Sequence, residues 1–407
     1  MRKIKGMRAM GCILEHTGSN RMRRIKGMRA MGCKLAIARA SALVQMKVTS
    51  VVCLAVCAAG LSLPARAEGP VIVSFDVPGA GTGPSQGTWA QSINSKGLIA
   101  GYMVDSNNVL HGFVRTRSGE ITTFDVPGAG NAAYQGTYAF GSNPEGQVAG
   151  FYADANWGYH GFARDPGGNI TTFDAPGAAG TFAAQINPFG AIAGDYFDSS
   201  NVQSAYIRAP NGQITTFSAP GAGTGAGQGT FTGFLDCINL EGQMVGYTAD
   251  SSGVYHGYVR AFGSVTDFDA PGASTVAGQG TFPVGIDPFG TIAGSFYDAS
   301  SAVHGFVRGG GKMVVVDVPG AGSGAYQGTY SSSINMVGGI VGYYTDAGGV
   351  NHGFLRDPGG HITTFDVPGA GSGSGLGTVP NSSDPVAGTT GYYLDANAVV
   401  HGFLRLP

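Results

Sequence analysis

The chain has 407 residues, with 23 Lys and Arg against 25 Asp and Glu, and a formal net charge of −2. The first 67 residues hold 13 of the basic residues and one acidic residue, which leaves 10 basic and 24 acidic residues, or about −14, for the rest. An acidic body repels phosphate backbones, and seven of its ten basic residues recur singly, one per repeat, rather than as a stripe. The charge distribution therefore argues against nucleic acid as a partner.

Residues 1–67 have the pattern of a basic leader that ends in a signal peptide. Met46-Lys47 is a short charged start, residues 48–63 form an apolar run, and Ala65-Arg66-Ala67 has the small-x-small form of a cleavage site. The run is shorter than the ~20 residues that a membrane-spanning helix needs. The leader predicts a secreted or periplasmic protein without a membrane span in the mature chain.

The beginning of the leader is a local duplication. Residues 2–12 return almost unchanged at residues 23–33, and we expect translation to start at Met46. A lipid anchor on Cys57 is the alternative that would change the predicted location.

The remainder of the chain, residues 68–407, is built from repeats of about 49 residues. His-Gly dipeptides recur at intervals of 48 or 49 residues, apart from one double interval that Ser204-Ala205-Tyr206 fills, so that seven units exist. The dipeptides begin at His111, His160, His256, His304, His352 and His401. A period of this length is typical of β-propellers and other repeat arrays.

Each repeat has the pattern of four short strands. In the second repeat, four runs rich in aromatic and β-branched residues are separated by turn sequences. These runs are residues 136–143, 147–153, 159–164 and 170–175. A parallel β-helix is the competing all-β fold, but its rungs are shorter than this unit.

The ends of the array indicate how it closes. Residues 71–77 match the fourth strand of the other repeats, and residues 401–407 match the third strand. We predict an all-β, seven-bladed β-propeller over residues 68–407, with four antiparallel strands per blade. The amino-terminal strand would complete the last blade and leave no open sheet edge.

Three kinds of residue recur at fixed places in the repeats and have a structural interpretation. We expect the aspartates to hold the hairpin between strands two and three, the histidines to donate to them or to backbone, and the arginines to pair with acids or carbonyls between blades. Seven equivalent active sites in one ring would be peculiar, so no catalytic residue is assigned. The aspartates are Asp105, Asp154, Asp198, Asp250, Asp298, Asp346 and Asp395, and the arginines are Arg115, Arg164, Arg208, Arg260, Arg308, Arg356 and Arg405.

No metal or cofactor is predicted. Asp105-x-Asn107 resembles the start of a calcium loop, but the distal acidic ligands are missing, and no His and Cys cluster has the spacing of a zinc site. Cys237 is the single cysteine after the leader, in an apolar stretch that predicts a buried, inert thiol.

The best candidate binding site is a ring of glutamines before the first strands. In a propeller these residues would surround the mouth of the central channel, with aromatic residues on the same face, and amide and aromatic groups suit a sugar or a peptide. The alternative is that the glutamines only satisfy loop backbone. The candidates are Gln86, Gln135, Gln228, Gln279 and Gln327, with Tyr134, Tyr326, Trp157 and Tyr255.

Units such as Ile93-Asn94-x-x-Gly97 followed by His111-Gly112-Phe113 resemble the extracellular HAF repeats of bacterial exported proteins. The resemblance spans residues 71–407. The typical His-Ala-Phe is His-Gly-Phe here and Ser-Ala-Tyr in the third repeat, and an arginine replaces the expected tryptophan. The resemblance implies export and a propeller-like array, without an activity or a catalytic residue.

Three functions fit these features. The first is an exported binding or scaffold protein, expected to be a monomer, which recognises a glycan or a peptide on the loop face. The second is a propeller-type lyase or hydrolase acting on an extracellular polymer, and the third is a purely structural surface protein. Fold alone decides between none of them, and we favour the first because the repeat irregularities do not form an acid–base pair.

Overall fold

The computed structural model describes residues 69–407 apart from Phe234 and Ala387, within a compact unit that spans Arg66–Pro407. The predicted leader and signal peptide lie outside the described residues. The described part of the chain consists of strands and turns and contains no helix that could cross a membrane. The all-β prediction is confirmed.

Each repeat forms a meander of four antiparallel strands, which lie next to one another in the same order in every repeat. The first strands are β2 (Gly87–Ile93), β6 (Gly136–Ser142), β10 (Gly180–Ile186), β14 (Gly229–Thr232), β18 (Thr281–Ile286), β22 (Gly328–Ile334) and β26 (Gly377–Asp384). The second strands are β3 (Ile99–Val104), β7 (Val148–Ala153), β11 (Ile192–Phe197), β15 (Met244–Ala249), β19 (Ile292–Tyr297), β23 (Ile340–Thr345) and β27 (Gly388–Leu394).

The third and fourth strands complete the units. The third strands are β4 (Leu110–Arg115), β8 (Tyr159–Arg164), β12 (Gln203–Arg208), β16 (Tyr255–Ala261), β20 (Val303–Gly309), β24 (Asn351–Arg356) and β28 (Val400–Arg405). The fourth strands are β5 (Ile121–Phe124), β9 (Ile170–Phe173), β13 (Ile214–Phe217), β17 (Ser264–Phe268), β21 (Lys312–Val316), β25 (Ile362–Phe365) and, from the amino-terminal end, β1 (Ile72–Phe75).

The two ends of the array pair with each other. Strand β1 lies antiparallel to β28, with Ile72 opposite Arg405 and Phe75 opposite Gly402. The hydrogen-bonded strands nevertheless fall into two sheets, of 20 and 8 strands, and neither sheet closes on itself.

Consecutive repeats are joined where the loop before each first strand meets the third strand of the preceding repeat. The Leu110 amide donates to the Gln135 carbonyl at 2.9 Å, and Gly136 then lies parallel to Leu110. Gly136 has a φ of 118°, and a Cβ there would collide with the Leu110 carbonyl. The third repeat lacks this join because its loop, at residues 175–179, is five residues shorter than the others. One sheet therefore ends at β9 and the other begins at β10.

The core lies between neighbouring repeats. The aromatic residue of each third strand is fully buried. In six of the seven repeats it meets the fourth-strand phenylalanine of the preceding repeat, as Phe113 meets Phe75 at 6.3 Å between ring centroids. The threonine of each first strand accepts the amide after the preceding fourth strand, as Thr88 does from Val77 at 2.9 Å. Each interface thus combines apolar burial with a satisfied backbone group.

Candidate functional site

Each repeat histidine lies between two aspartates. Nδ1 of His111 is 2.9 Å from Asp125 Oδ1, and Nε2 is 3.8 Å from Asp105 Oδ2. Oδ1 of Asp105 also accepts the amides of Asn107 and Val109, which holds the hairpin between the second and third strands. The same pair of contacts recurs at the other five histidines, with Nδ1 at 2.9–3.0 Å and Nε2 at 3.5–3.8 Å.

The nearer of the two aspartates was missed in the sequence. It follows the fourth-strand phenylalanine and lies 13 or 14 residues after the histidine, except that Asp76 serves His401 from the other end of the array. The third repeat contains the sequence evidence for this pairing, because both partners change there: Ser204 replaces the histidine and Ser218 replaces the aspartate. Their hydroxyls are 3.2 Å apart.

The arginines also lie between repeats. Several donate to the carbonyl of the next residue, as Arg115 Nη1 does to Thr116 at 3.4 Å, and they contact aromatic rings, which was not predicted. The Arg115 guanidinium lies over the Phe75 ring at 4.8 Å, and five other arginines stack in the same way on the preceding fourth strand. No ion pair joins a repeat arginine to an acid among the described residues. The phenylalanine ring presents its π face to a guanidinium that is partly desolvated, which favours a cation–π contact.

The predicted glutamines lie in the loops and bind loop groups. Gln86 Oε1 accepts the Gly83 amide at 2.9 Å, and its Nε2 donates to the Ser106 carbonyl at 3.2 Å. Equivalent contacts with loop backbone hold Gln135, Gln228 and Gln327. Gln279 differs, because its Nε2 donates to the Ser301 hydroxyl at 2.7 Å and its buried Oε1 has no hydrogen-bond partner. These contacts correspond to the alternative that the glutamines satisfy loop backbone, and binding of a ligand at them stays a prediction.

The predicted aromatic residues of that face are not brought together. Tyr134, Tyr326 and Trp157 are exposed and have positive φ angles in their turns. Tyr255 instead packs against Tyr247 and Phe282, at 5.2 and 4.9 Å between ring centroids. Among the described residues, neither the glutamines nor these aromatic residues line the two cavities described next.

A polar cavity of about 100 Å³ is lined at the ends of the first strands by residues from all seven repeats. The asparagines there form a chain of side-chain to backbone hydrogen bonds, in which Asn94 Nδ2 donates to the Asn143 carbonyl at 2.6 Å and Asn143 to the Asn187 carbonyl at 3.2 Å. Asn187 and Asn239 continue it at 3.0 Å each. The asparagine of the Ile-Asn-x-x-Gly motif therefore links neighbouring repeats.

Asp236 lies in this polar cavity on an irregular segment that follows the shortened strand β14. It adopts a φ of 58°, and Gln185 Nε2 donates to its Oδ1 at 3.0 Å. Burial raises the pKa of Asp236 to about 6. Cys237 next to it is fully buried, and burial raises the pKa of its thiol, which agrees with the predicted inert role.

A second, aromatic cavity of about 330 Å³ lies between the second, third and fourth repeats. Phe140, Phe151 and Phe182 form one part of its lining, and Phe231 with Tyr247 forms another. Phe151 and Phe182 meet at 4.9 Å between ring centroids, while Phe231 and Tyr247 stack at 5.0 Å. The walls are thus apolar and aromatic.

Asp195 is the acidic residue in the lining of the aromatic cavity. It follows the second-strand glycine, a place where five of the seven repeats have Tyr or Phe. Its Oδ2 accepts both the amide and the hydroxyl of Thr232, at 2.9 and 3.0 Å. Burial raises the pKa of Asp195 to about 6 although these two hydrogen bonds oppose the rise.

Gln203 adds a second acceptor to the aromatic cavity. Its Oε1 is buried and has no hydrogen-bond partner. A buried amide oxygen without a partner is uncommon and destabilising. Gln203 directly precedes Ser204-Ala205-Tyr206, where the sequence departs from the repeat, but only the packed structure places it in one cavity with Asp195.

No family model and no curated protein sequence matches the chain. Solved structures do resemble it. The β-propeller domain of the Trilobed protease from Pyrococcus furiosus aligns with a TM-score of 0.53 and 10% identity over 80% of this chain and 94% of that one. Streptogramin B lyase (TM-score 0.51, 13% identity, 83% and 98% coverage) and the BP39L lectin from Burkholderia pseudomallei (0.51, 13%, 78% and 94%) are similar too. These likenesses show that the fold is of the β-propeller type.

Proposed function

We propose that this protein is an exported β-propeller that binds a small organic ligand, or the end of a glycan or peptide, in the aromatic cavity. In this proposal the seven repeats are seven blades, and the pairing of β1 with β28 closes the ring. Contacts across the junctions support the ring: Asn381 Nδ2, from the last repeat, donates to the Ala90 carbonyl of the first at 2.9 Å. The basic leader, the apolar run and the resemblance to HAF repeats support export.

The observation that carries the binding function is that the departures from the repeat coincide in space. A repeat that only builds structure has no reason to change several positions at one junction. Here Asp195 replaces an aromatic residue, Ser204 replaces the histidine, the loop before β10 is short, and a segment is inserted after Thr232. Two of these departures lie beside the aromatic cavity, because Asp195 and Gly233, the first residue after Thr232, are part of its lining. The volume of the cavity is at the lower end of that of small-molecule sites.

The test is thermal unfolding of the purified protein with a panel of soluble glycans, peptidoglycan fragments, peptides and amines. A ligand at 100 times its dissociation constant adds ~2.7 kcal/mol to the stability of the folded protein, so its midpoint rises measurably. Asp195→Tyr introduces the aromatic residue that five of the other repeats have at this place and fills the cavity, and we expect it to abolish the rise.

The matched control changes Gln135 and Gln327 to alanine, which removes two loop glutamines and leaves the cavity intact. A rise that survives Asp195→Tyr but is lost in this control would move the site to the loop face. A panel without any effect would instead favour the structural surface protein.

A further inference from the structure

We propose that the ligand of the aromatic cavity is an organic cation, an ammonium or guanidinium group on an apolar body, with Asp195 as its counter-ion. This inference rests on the proposed function, because it assumes that the cavity is a ligand site. It names the chemical class of the ligand, which the fold alone leaves open.

The first step is that Asp195 has no basic partner in the described part of the chain. Its contacts are with Thr232, and no Lys, Arg or His lies within ion-pair distance of it. The titratable groups whose pKa Asp195 raises are Tyr206, Tyr247, Tyr258 and Cys237, and burial is the larger cause that holds the pKa of each of them above its usual value. They are therefore neutral around pH 7, and a carboxylate among them is uncompensated, which is costly unless a cation pairs with it.

The second step is that the fold does not need a charge at this position. Ser295 is the equivalent residue of the fifth repeat, and its Oγ accepts the Ser331 amide at 2.9 Å. Asp195 accepts the Thr232 amide at the same distance. Because a hydroxyl suffices to satisfy this backbone group, the carboxylate of Asp195 exceeds what the structure requires.

The third step concerns the walls and the second acceptor. A cation over the face of an aromatic ring gains a cation–π contact that strengthens when water is excluded, and the apolar remainder of the ligand would contact Phe151, Phe182 and Phe231. An ammonium group has several donors, so one donor can bind Asp195 while another reaches the unpartnered Gln203 Oε1. A neutral sugar would supply donors, but it would leave the carboxylate uncompensated.

The test is calorimetric titration of the full-length protein with 2-phenylethylammonium and with its neutral isostere 2-phenylethanol, at pH 5 and pH 7.5. The ammonium stays protonated throughout, whereas a carboxyl with a pKa of about 6 goes from mostly neutral to mostly charged. We expect the ammonium to bind roughly tenfold more tightly at pH 7.5 than at pH 5. The neutral isostere should show no such gain.

The variants separate charge from structure. Asp195→Ser copies Ser295 and should fold with an unfolding midpoint at least as high as that of the parent at pH 7.5, because it removes an uncompensated carboxylate. It should lose the preference for the ammonium. Asp236→Asn removes the other buried carboxyl with a raised pKa, in the polar cavity, and should leave ammonium binding as it was.

Three results would overturn the cation assignment, and they differ in what they do to the proposed function. Equal binding of the two probes, blocked by Asp195→Tyr, refutes the cation but keeps the cavity as the site. Binding of neither probe, with no compound of the panel sensitive to Asp195→Tyr, refutes both. Ammonium binding that Asp195→Ser leaves intact also refutes the cation–Asp195 pair.

Discussion

At the scale of single residues, the histidine between two aspartates gives the protein a defined dependence on pH. Burial of the His256 imidazole lowers its pKa, but Asp269 and Asp250 outweigh this and the net shift is upward. A histidine whose pKa is raised by folding stabilises the protein fully below its unfolded pKa, near 6.5. That contribution is lost as the pH rises through the folded pKa, above 6.5.

The aspartates act in the opposite direction. Burial of Asp250 raises its pKa. The amides of Val254 and Ser252 and the contact with His256 lower the pKa by more than burial raises it, so the net shift is downward. A lowered carboxyl pKa contributes stability above the unfolded value of about 4 and loses it as the pH falls through the folded value. The two groups together predict greatest stability between about pH 4 and pH 6.5.

We predict that His256→Gln destabilises the protein by about 0.5 kcal/mol at pH 5.5 and by less at pH 8.5, since the pair is partly exposed. Urea unfolding at both pH values measures the difference. Ser204→Ala is the control, because it removes the uncharged equivalent of the pair in the third repeat and should cost the same at both pH values. A His256→Gln cost that does not change with pH would contradict the double-aspartate interpretation.

A second prediction concerns the arginines that stack between repeats. The Arg308 guanidinium lies 4.5 Å from the centroid of Phe268. Arg356 has no such ring, because Val316 takes the place of the fourth-strand phenylalanine in the fifth repeat. Arg308→Ala should therefore cost about 1 kcal/mol more than Arg356→Ala in urea unfolding. Equal costs would show that the guanidinium contributes through its alkyl stem alone.

How far the residue roles could be predicted depends on whether the partner is local. The aspartate six residues before each histidine was recognised because both lie on one hairpin. The partner aspartate after the fourth strand was not, since its proximity follows from the register between the third and fourth strands. The phenylalanine partners of the arginines lie in the preceding repeat. Neither the spacing nor the charge of an arginine indicates whether its partner is an aromatic ring or a carboxylate.

At the scale of strands, the regular repeat allowed the strand boundaries to be predicted from the sequence. The predicted run at 159–164 coincides with β8, and the run at 136–143 ends one residue beyond β6. The exception is β14, which ends early at Thr232, because the fourth repeat carries additional residues before its Ile-Asn motif. The aromatic cavity was not predictable, since it depends on residues of three repeats whose distances only the packed structure defines.

The joins between repeats predict a cost that depends on the place of a glycine. Gly136→Ala should destabilise the protein by about 3 kcal/mol, because the residue has a φ of 118° and its Cβ would collide with the Leu110 carbonyl. Gly177→Ala is the matched control, with a φ of 79° and open space around the new Cβ, and should cost about 1 kcal/mol. Urea unfolding compares the two variants. Similar costs would mean that the backbone at the join shifts enough to accommodate the methyl group.

At the scale of the whole molecule, the proposed closure of the array depends on a strand far from its partner in sequence. Strand β1 supplies Phe75 to the core of the first repeat and Ile72 to that of the last. Asp76 beside it holds His401 at 3.0 Å. Without β1 the edge of β28 would be open, and an open edge invites pairing with other molecules.

We predict that deletion of residues 69–76 destabilises the protein by about 4 kcal/mol, the burial of two large apolar side chains, and promotes aggregation. In the matched control the deleted strand is placed after β28, so that it follows the third strand directly, as the fourth strand does in the other repeats. Residues 165–169, the turn between β8 and β9, are joined after Arg405 and followed by residues 72–76, so that the third and fourth strands form a local hairpin. If the ring is closed by this strand, the rearranged chain regains the parent stability and elutes as a monomer in gel filtration. A deletion variant as stable as the parent would show that the last repeat folds without β1, and the ring would then be open at this junction.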